Sequence, residues 1–320
     1  MFQAIRRCAI GICVAFAAAS AQADTFPSRP IRIIVPSPPG MGIDVITRYV
    51  GERLALAVGQ QVVIDNRPGA GGVLAAITAL NAQPDGYTLV ALATPMTIQM
   101  SLQPKPPFDL TQDFAHIAYL GSTPQVLVTS GKSPFKSFKE YLAAARSQEL
   151  NVGAASTLSA SHLAMETWRL QSGVKLNLVP YKGSGDAQLG LASGDIAVMF
   201  DSLPAVLPFV RSGQVRALAV GSPQRVPAFP DVPTIAELGY PSFAAVSWIG
   251  YSASIKIPAP VVQRLSDEFR RIFADPQTRE RLAALGFYPA EMTRDQYAAY
   301  VRQEVDRWGQ VVRAANLKVQ

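Results

Sequence analysis

Apolar residues along the chain come in short unbroken runs, at 31–35, 61–65, 87–93, 126–129, 196–200 and 215–220. A run without polar alternation marks a strand covered on both faces, as parallel strands are. Between the runs, apolar positions recur at helical spacing over 44–57, 73–81, 137–146, 159–171 and 187–192. Ser137 and Glu140 form a capping box ahead of Tyr141 and Leu142. Pro84-Asp85-Gly86 turns the chain into its third strand. This alternation predicts an α/β fold with two doubly wound sheets.

The end of the chain changes character. Val261, Leu265, Phe269, Ile272 and Phe273 follow helical spacing, and Asp275-Pro276 starts a further helix that runs to Leu285. A last helix opens at Thr293, boxed by Gln296, with Tyr297, Tyr300, Val305, Trp308 and Val312 on one face. These stripes read as core. The chain is expected to cross between lobes near 121–125 and again near 244–254. That divides it into a discontinuous first domain, 24–123 plus 248–320, and a second domain, 124–247. A chain that leaves one domain and returns joins the two by crossing strands, which suits hinge closure.

Residues 1–23 read as a secretory signal. Arg6 and Arg7 supply the charged start, 8–19 the apolar stretch, and Ala21-Gln22-Ala23 the cleavage site. An apolar stretch of about 12 residues is too short to span a bilayer. Cys13 lacks a small residue before it, which argues against a lipoprotein signal. Both cysteines, Cys8 and Cys13, lie in this segment, so the mature chain forms neither a disulfide nor a thiolate metal site. Removing the two arginines lowers the net charge from +6 to +4. That excess is scattered without a basic block, which argues against a nucleic-acid partner. At 49% hydrophobic and 16% charged, the 320-residue chain has the composition of a folded protein of two domains.

Candidate chemistry concentrates between Arg29 and Gly72. The first strand runs into a Pro/Gly turn, 36–42, with a helix opening at Asp44. The next strand runs into a second turn, Asn66-Arg67-Pro68-Gly69-Ala70-Gly71-Gly72, which opens the next helix. A turn that opens a helix leaves amides unpaired at the positive end of the helix dipole, a seat for a carboxylate or phosphate. Two such turns at the ends of successive strands have the geometry of a ligand cleft in an open α/β sheet.

Catalytic signatures are missing. There is no Gly-x-Ser-x-Gly elbow, no phosphate loop, no Gly-x-Gly-x-x-Gly after the first strand and no His-Glu-x-x-His pair. The two histidines, His116 and His162, stand far apart in the chain.

Further segments appear in order along the chain: PSRPIRIIVPSPPG, VVIDNRPGAGG, PDGYTL, VPYKGSGDAQ, SGDIAVMFDSLPAVLPFVRSGQVRALAV and PAFPDVPTIAELGYP. Each is weak alone, but the ordered set is specific. The sequence resembles the solute receptors of tripartite tricarboxylate transporters, the Bug or TctC family of periplasmic binding proteins, over essentially the whole mature chain. The resemblance implies a type II periplasmic-binding-protein fold, two doubly wound α/β lobes joined by a hinge of crossing strands. It implies a small organic acid held between the lobes, gripped by amides, hydroxyls and waters and not by arginine. No cofactor or metal is expected. The implied partners are that carboxylate ligand and the membrane subunits of a transporter, with the receptor itself a monomer in the periplasm. A sensor role, with a kinase as partner, is the alternative, and a hydrolase the remote one.

With that resemblance in place, candidate residues fall in five groups. Ser37, Pro39, Gly40, Met41, Gly42 and Ile43 form the first carboxylate loop, with Asp44 as N-cap of its helix. Asn66, Gly69 and Ala70 form the second, either as ligand contacts or as a structural turn. Arg67 either supplies a cation or faces water. Ala93 and Thr94 end the third strand, where Thr94 offers a hydroxyl. Ser156, Thr157, Leu158, Ser159 and Ala160 correspond to the loop of the second lobe, with Ser159 either a hydroxyl donor or an N-cap. His162 reads as a capping or packing residue in preference to a ligand. Tyr181, Lys182 and Asp201 lie at further strand ends, with Asp201 either accepting from a ligand or holding the opposite loop. The chain departs from the family at Ser37, where relatives usually carry an aromatic residue, at Met41, usually glycine, and at Thr157-Leu158, often Asn-Gly. Those departures imply either an acid with an apolar or aromatic body in preference to a compact dicarboxylate, or side chains that pack under the loops and leave the ligand small.

Cleavage after Ala23 gives a mature chain that starts at Asp24. Intact-mass measurement of the secreted protein is expected to show it, and retention of residues 1–23 or lipid on Cys13 would contradict the reading.

Overall fold

The computed structural model describes residues 26–102, 106–315 and 317. The signal segment and the expected start at Asp24 lie outside these residues.

The chain opens with β1 (Ile31–Val35), α1 (Gly42–Val58), β2 (Val62–Asn66), α2 (Val73–Leu80), β3 (Thr88–Ala93) and α3 (Thr94–Leu102). The three strands run parallel in the order β2-β1-β3. The unbroken apolar runs have the cause expected of them, since both faces of this sheet are covered. Ile33, Leu89 and Ala91 pack toward α1, while Ile34, Val90 and Leu92 share the opposite cluster with Ala75, Ala76 and Met96.

A strand of 17 residues follows, β4 (Phe114–Ser130), of which only 126–129 stood out in the sequence. It leads to α4 (Phe138–Ser147), β5 (Leu150–Ala154), α5 (Ala160–Ser172), β6 (Leu176–Pro180), α6 (Ser184–Ser193), β7 (Val198–Ser202), α7 (Leu203–Arg211) and β8 (Val215–Val220). Strands β6, β5 and β7 are parallel neighbours. Two clusters again cover the sheet, one around Tyr141 and Trp168, the other around Leu191 and Val206. The chain then returns through β9 (Val246–Ser254), α8 (Ala259–Ala274), α9 (Pro276–Ala284), the short β10 (Tyr288–Pro289) and α10 (Arg294–Ala314).

Besides the crossing strand β9 and the two-residue β10, which the apolar runs do not mark, β5, β6, α3 and α7 are not read from the sequence, for identifiable reasons. Asn151 and Asn177 interrupt β5 and β6 and pair with each other at the sheet edge. Helix α3 lacks a clean apolar stripe because Thr94 and Thr97 are buried beside Met96 and Ile98. Helix α7 carries Pro204 at its start and Pro208 inside, where proline normally breaks a helix. Helix starts also differ: α1 begins at Gly42 and not at Asp44, α6 begins at Ser184 and not at 187, and α4, α5 and α10 begin one residue later than expected, with Ser137, Ser159 and Thr293 as their caps.

The two sheets meet on β4. Its residues from Phe114 to Pro124 pair antiparallel with β9, and from Gln125 onward its partners are β7 and β8. At the changeover the Gln125 amide donates to the Ala245 carbonyl, 2.9 Å away, just before β9 begins. The last helix braces this junction. The buried Glu304 carboxylate accepts from the indoles of Trp248 on β9 (3.1 Å) and Trp308 (2.9 Å), and from Arg307 (2.9 Å). Arg307 also donates to the Ala244 carbonyl. Beyond it, Trp308, Val311 and Val312 enclose Ile98 of α3 and Leu163 of α5, so one small apolar cluster joins both halves.

Truncating Glu304 strands two buried indole N–H groups and Arg307. Glu304→Ala is expected to destabilise the protein by about 3 kcal/mol in urea unfolding, with Glu304→Gln in between.

Candidate functional site

Register places the candidate residues along the C-terminal edges of the parallel strands. Val35, Asn66 and Ala91 lie in one row, and Ser37 and Ala93 fall two residues beyond it. In the other sheet, Ala155 is level with Tyr181 and with Asp201. Each edge gathers helix N-termini, because every parallel strand turns there into its helix.

In the first half a buried polar staple holds the two turns together. Met41 is the N-cap of α1 and makes no side-chain cap bond, so the capping role expected of Asp44 is corrected. Asp44 lies in the first turn and reaches back to accept from the Gly40 amide at 2.8 Å. It also accepts from Arg48 at 2.9 Å and from the Asn66 amide at 2.8 Å. Asn66 donates as well to the Ser37 carbonyl (2.9 Å) and accepts from Arg48 (3.0 Å). All of the polar atoms of the Asn66 side chain are therefore used within the protein, in a structural turn. Burial pushes the Asp44 carboxyl up, but its bonds to Arg48, Gly40 and Asn66 and the Arg48 charge outweigh this and hold it below the ordinary value.

The second turn is built of backbone. Gly69, Ala70, Gly71 and Gly72 all have positive φ. A Cβ on Gly72 would stand 2.8 Å from Met96, and one on Gly71 2.3 Å from Gln99, so only glycine fits against α3. Met96 and Gln99 thus shape the turn, which the sequence did not signal. Arg67 resolves as a half-exposed partner of Asp65, 3.0 Å away, which also takes Arg32. Ile43 packs on the core, and Pro39, Gly40, Met41 and Gly69 are exposed. Thr94 is buried and accepts from the Trp248 amide at 3.1 Å, tying the third strand end to β9. Among the described residues, the amides of Gly42, Ile43, Ala70 and Gly71 have no acceptor in the chain.

In the second half the loop before α5 folds on itself. Ser159 is an N-cap. It accepts from the His162 amide at 3.2 Å and donates to the Ser156 carbonyl at 2.7 Å. His162 Nδ1 accepts from the Leu158 amide at 2.8 Å. Burial pushes its pKa down against the opposing pull of Glu166, so the ring is neutral and suited to accept. Ser161 accepts from the Ala155 amide at 2.8 Å. Asp201 is buried and takes Ser184 and the Ser202 amide, 2.9 and 2.8 Å away, with Gln188 at 3.3 Å. Burial raises its pKa against those bonds. Asp201 thus ties α6 to the end of β7, and its partners Ser184 and Gln188 had gone unnoticed beside the glycines at 183 and 185. Tyr181 packs its ring under α6, where a Cβ on Gly190 would meet its hydroxyl at 2.1 Å. Lys182 is exposed and, among the described residues, has no carboxylate in reach. The first amides of α5, on Ala160 and Ser161, also lack an acceptor in the chain. Among the described residues no cluster of metal-ligating side chains occurs and no helix is long and apolar enough to cross a membrane. A concavity of about 560 Å³ between α8 and the start of α10 contains none of the candidate residues.

Two α/β halves, crossing strands between them and free helix amides at the strand ends define a periplasmic-binding-protein fold. The family described as tripartite tricarboxylate transporter family receptor matches residues 46–317. Protein BugT of Bordetella pertussis (strain Tohama I) is 37% identical over 316 residues, 97% of each chain. Rpa4515 of R. palustris, solved with adipate, aligns with a TM-score of 0.80 at 29% identity, covering 92% of this chain and 99% of its own. MatC of Rhodopseudomonas palustris, solved with malate, aligns with a TM-score of 0.76 at 31% identity, covering 90% and 100%. The chain belongs to the TctC family of periplasmic solute receptors, which bind and do not catalyse.

The depressed carboxyl of Asp44 has a pH signature. Its stabilisation is present above the unfolded value, about 3.9, and is lost as pH falls through the lower folded value. Asp44→Asn is expected to cost about 1–3 kcal/mol at pH 7, with the gap to the parent closing below about pH 4 in melting curves.

Proposed function

We propose that this chain is an extracytoplasmic receptor that closes two lobes over a small organic acid and delivers it to the membrane subunits of a tripartite transporter. The lobes are 24–123 plus 248–320 and 124–247, hinged where β4 and β9 exchange partners. One carboxylate of the ligand sits on the free amides of Gly42, Ile43, Ala70 and Gly71, with Gly40 and Gly69 shaping the approach. The loop 156–160 and Lys182 meet the ligand from the other side. Ser37, Asn66, Thr94, Ser159, His162, Tyr181 and Asp201 hold the loops and strand ends in place. Export through the signal at 1–23 brings the receptor to the periplasm, where it acts as a monomer.

The observation that carries this reading is the cation-free amide seat. Each nearby arginine is committed to Asp44 or Asp65, while the converging helix starts keep their donors. Such a seat favours a carboxylate over an uncharged sugar. The relatives solved with adipate and with malate support the same ligand class.

Calorimetry against a panel of organic acids is expected to give a one-to-one complex with the compound recovered unchanged. An acid at 100 times its dissociation constant should add about 2.7 kcal/mol of stability. Small-angle scattering should show a smaller radius of gyration in the saturated complex. Affinity for uncharged sugars alone, or superimposable scattering curves, would refute the receptor or the hinge respectively.

A further inference from the structure

The candidate residues of the first half have little polar side chain left to offer. The Ser37 hydroxyl donates to the Pro38 carbonyl at 3.3 Å. Asn66 is consumed by Ser37, Asp44 and Arg48. Thr94 is buried and accepts from Trp248. What remains exposed around the amide seat is apolar. Met41, the N-cap of α1, is 57% exposed; Val45, one turn on, is 38% exposed; Leu74, in the first turn of α2, is 48% exposed. Of the nine large apolar side chains exposed among the described residues, these three stand at the starts of the two helices that the amide-bearing turns lead into.

In the loop of the second half, Leu158 is half-buried and held at φ 59°, a left-handed conformation that leucine adopts only under constraint. The constraint is visible, since the ring of His162 accepts from its amide. A strained non-glycine residue at a site loop signals a side chain that the site uses. The Ser156 and Thr157 hydroxyls and Lys182 on that half are exposed and have no hydrogen-bond partner among the described residues.

We propose that the bound acid carries an unsubstituted apolar skeleton. Its carboxylate takes the first-half amides, its alkyl or aromatic body lies along Met41, Val45, Leu74 and Leu158, and any second polar group reaches Lys182 and Thr157. Hydroxylated acids are disfavoured because the Met41, Val45 and Leu74 side chains cannot pair a hydroxyl carried on the body that crosses them, and a buried hydroxyl without a partner is penalised. This inference rests on the receptor function proposed above and adds the substrate class.

The test compares adipate with galactarate, the same six-carbon diacid bearing four hydroxyls, by calorimetry on the mature protein. Adipate is expected to bind at least tenfold more tightly. The double variant Met41→Gln, Leu74→Gln is expected to lose about tenfold in adipate affinity while its ligand-free melting temperature stays unchanged, since both side chains are exposed and glutamine adds no N-cap bond. Galactarate binding equal to or tighter than adipate would overturn the proposal while leaving the receptor reading intact. So would adipate affinity unaffected by the double variant, which would remove the apolar rim from the site. If neither of these diacids nor any other acid binds, the receptor reading itself fails, and this inference with it.

Discussion

The strand β4 serves two sheets, and its backbone cannot leave donors or acceptors unpaired in the interior. Over its first part the pairing falls to β9, and over the rest to β7 and β8. Because β9 also pairs with β3, the crossing strands are pinned into the first sheet as firmly as they are into each other. Each parallel sheet is therefore extended from the same antiparallel ribbon. The candidate turns follow as the strand-to-helix connections of those sheets.

Charge management at the first-half turns follows a consistent logic. Arg48 is ion-paired with Asp44, and Arg32 and Arg67 share Asp65. In the proposed seat, anion binding falls to amides, whose dipoles neither titrate nor swing away. The ion pairs of Asp44 and Asp65 offset the repulsion they would exert on an acid there. The polar residues that look like ligand contacts in sequence instead fix the position of the amides.

That division explains what was legible in the sequence and what was not. The α/β class and the central turns could be read because buried parallel strands give unbroken apolar runs, and glycine-rich turns open helices with free donors. Strands β5 and β6 were hidden by Asn151 and Asn177, which face outward at a sheet edge and pair across it. Helix α7 was hidden by its two prolines. At the site, the positions of the turns were readable but the roles of their side chains were not. Asn66 finds its partners at Ser37 and Asp44, 29 and 22 residues earlier, and nothing local in the sequence announces such a bond. Ser159 and Asp201 were each left between two roles, and their hydrogen-bond partners assign both to loop and helix anchoring.

Helix α10 has an implication for the order in which the molecule can be completed. It follows every other described element in the chain, yet it supplies Tyr297 and Val301 to the first core and Trp308, Val311 and Val312 to the cluster that seats Leu163. Until that helix docks, Trp248 lacks its Glu304 acceptor and Tyr119 lacks the rings of Tyr297 and Tyr300. Completing the first half therefore depends on contacts between segments far apart in sequence, which form late in folding.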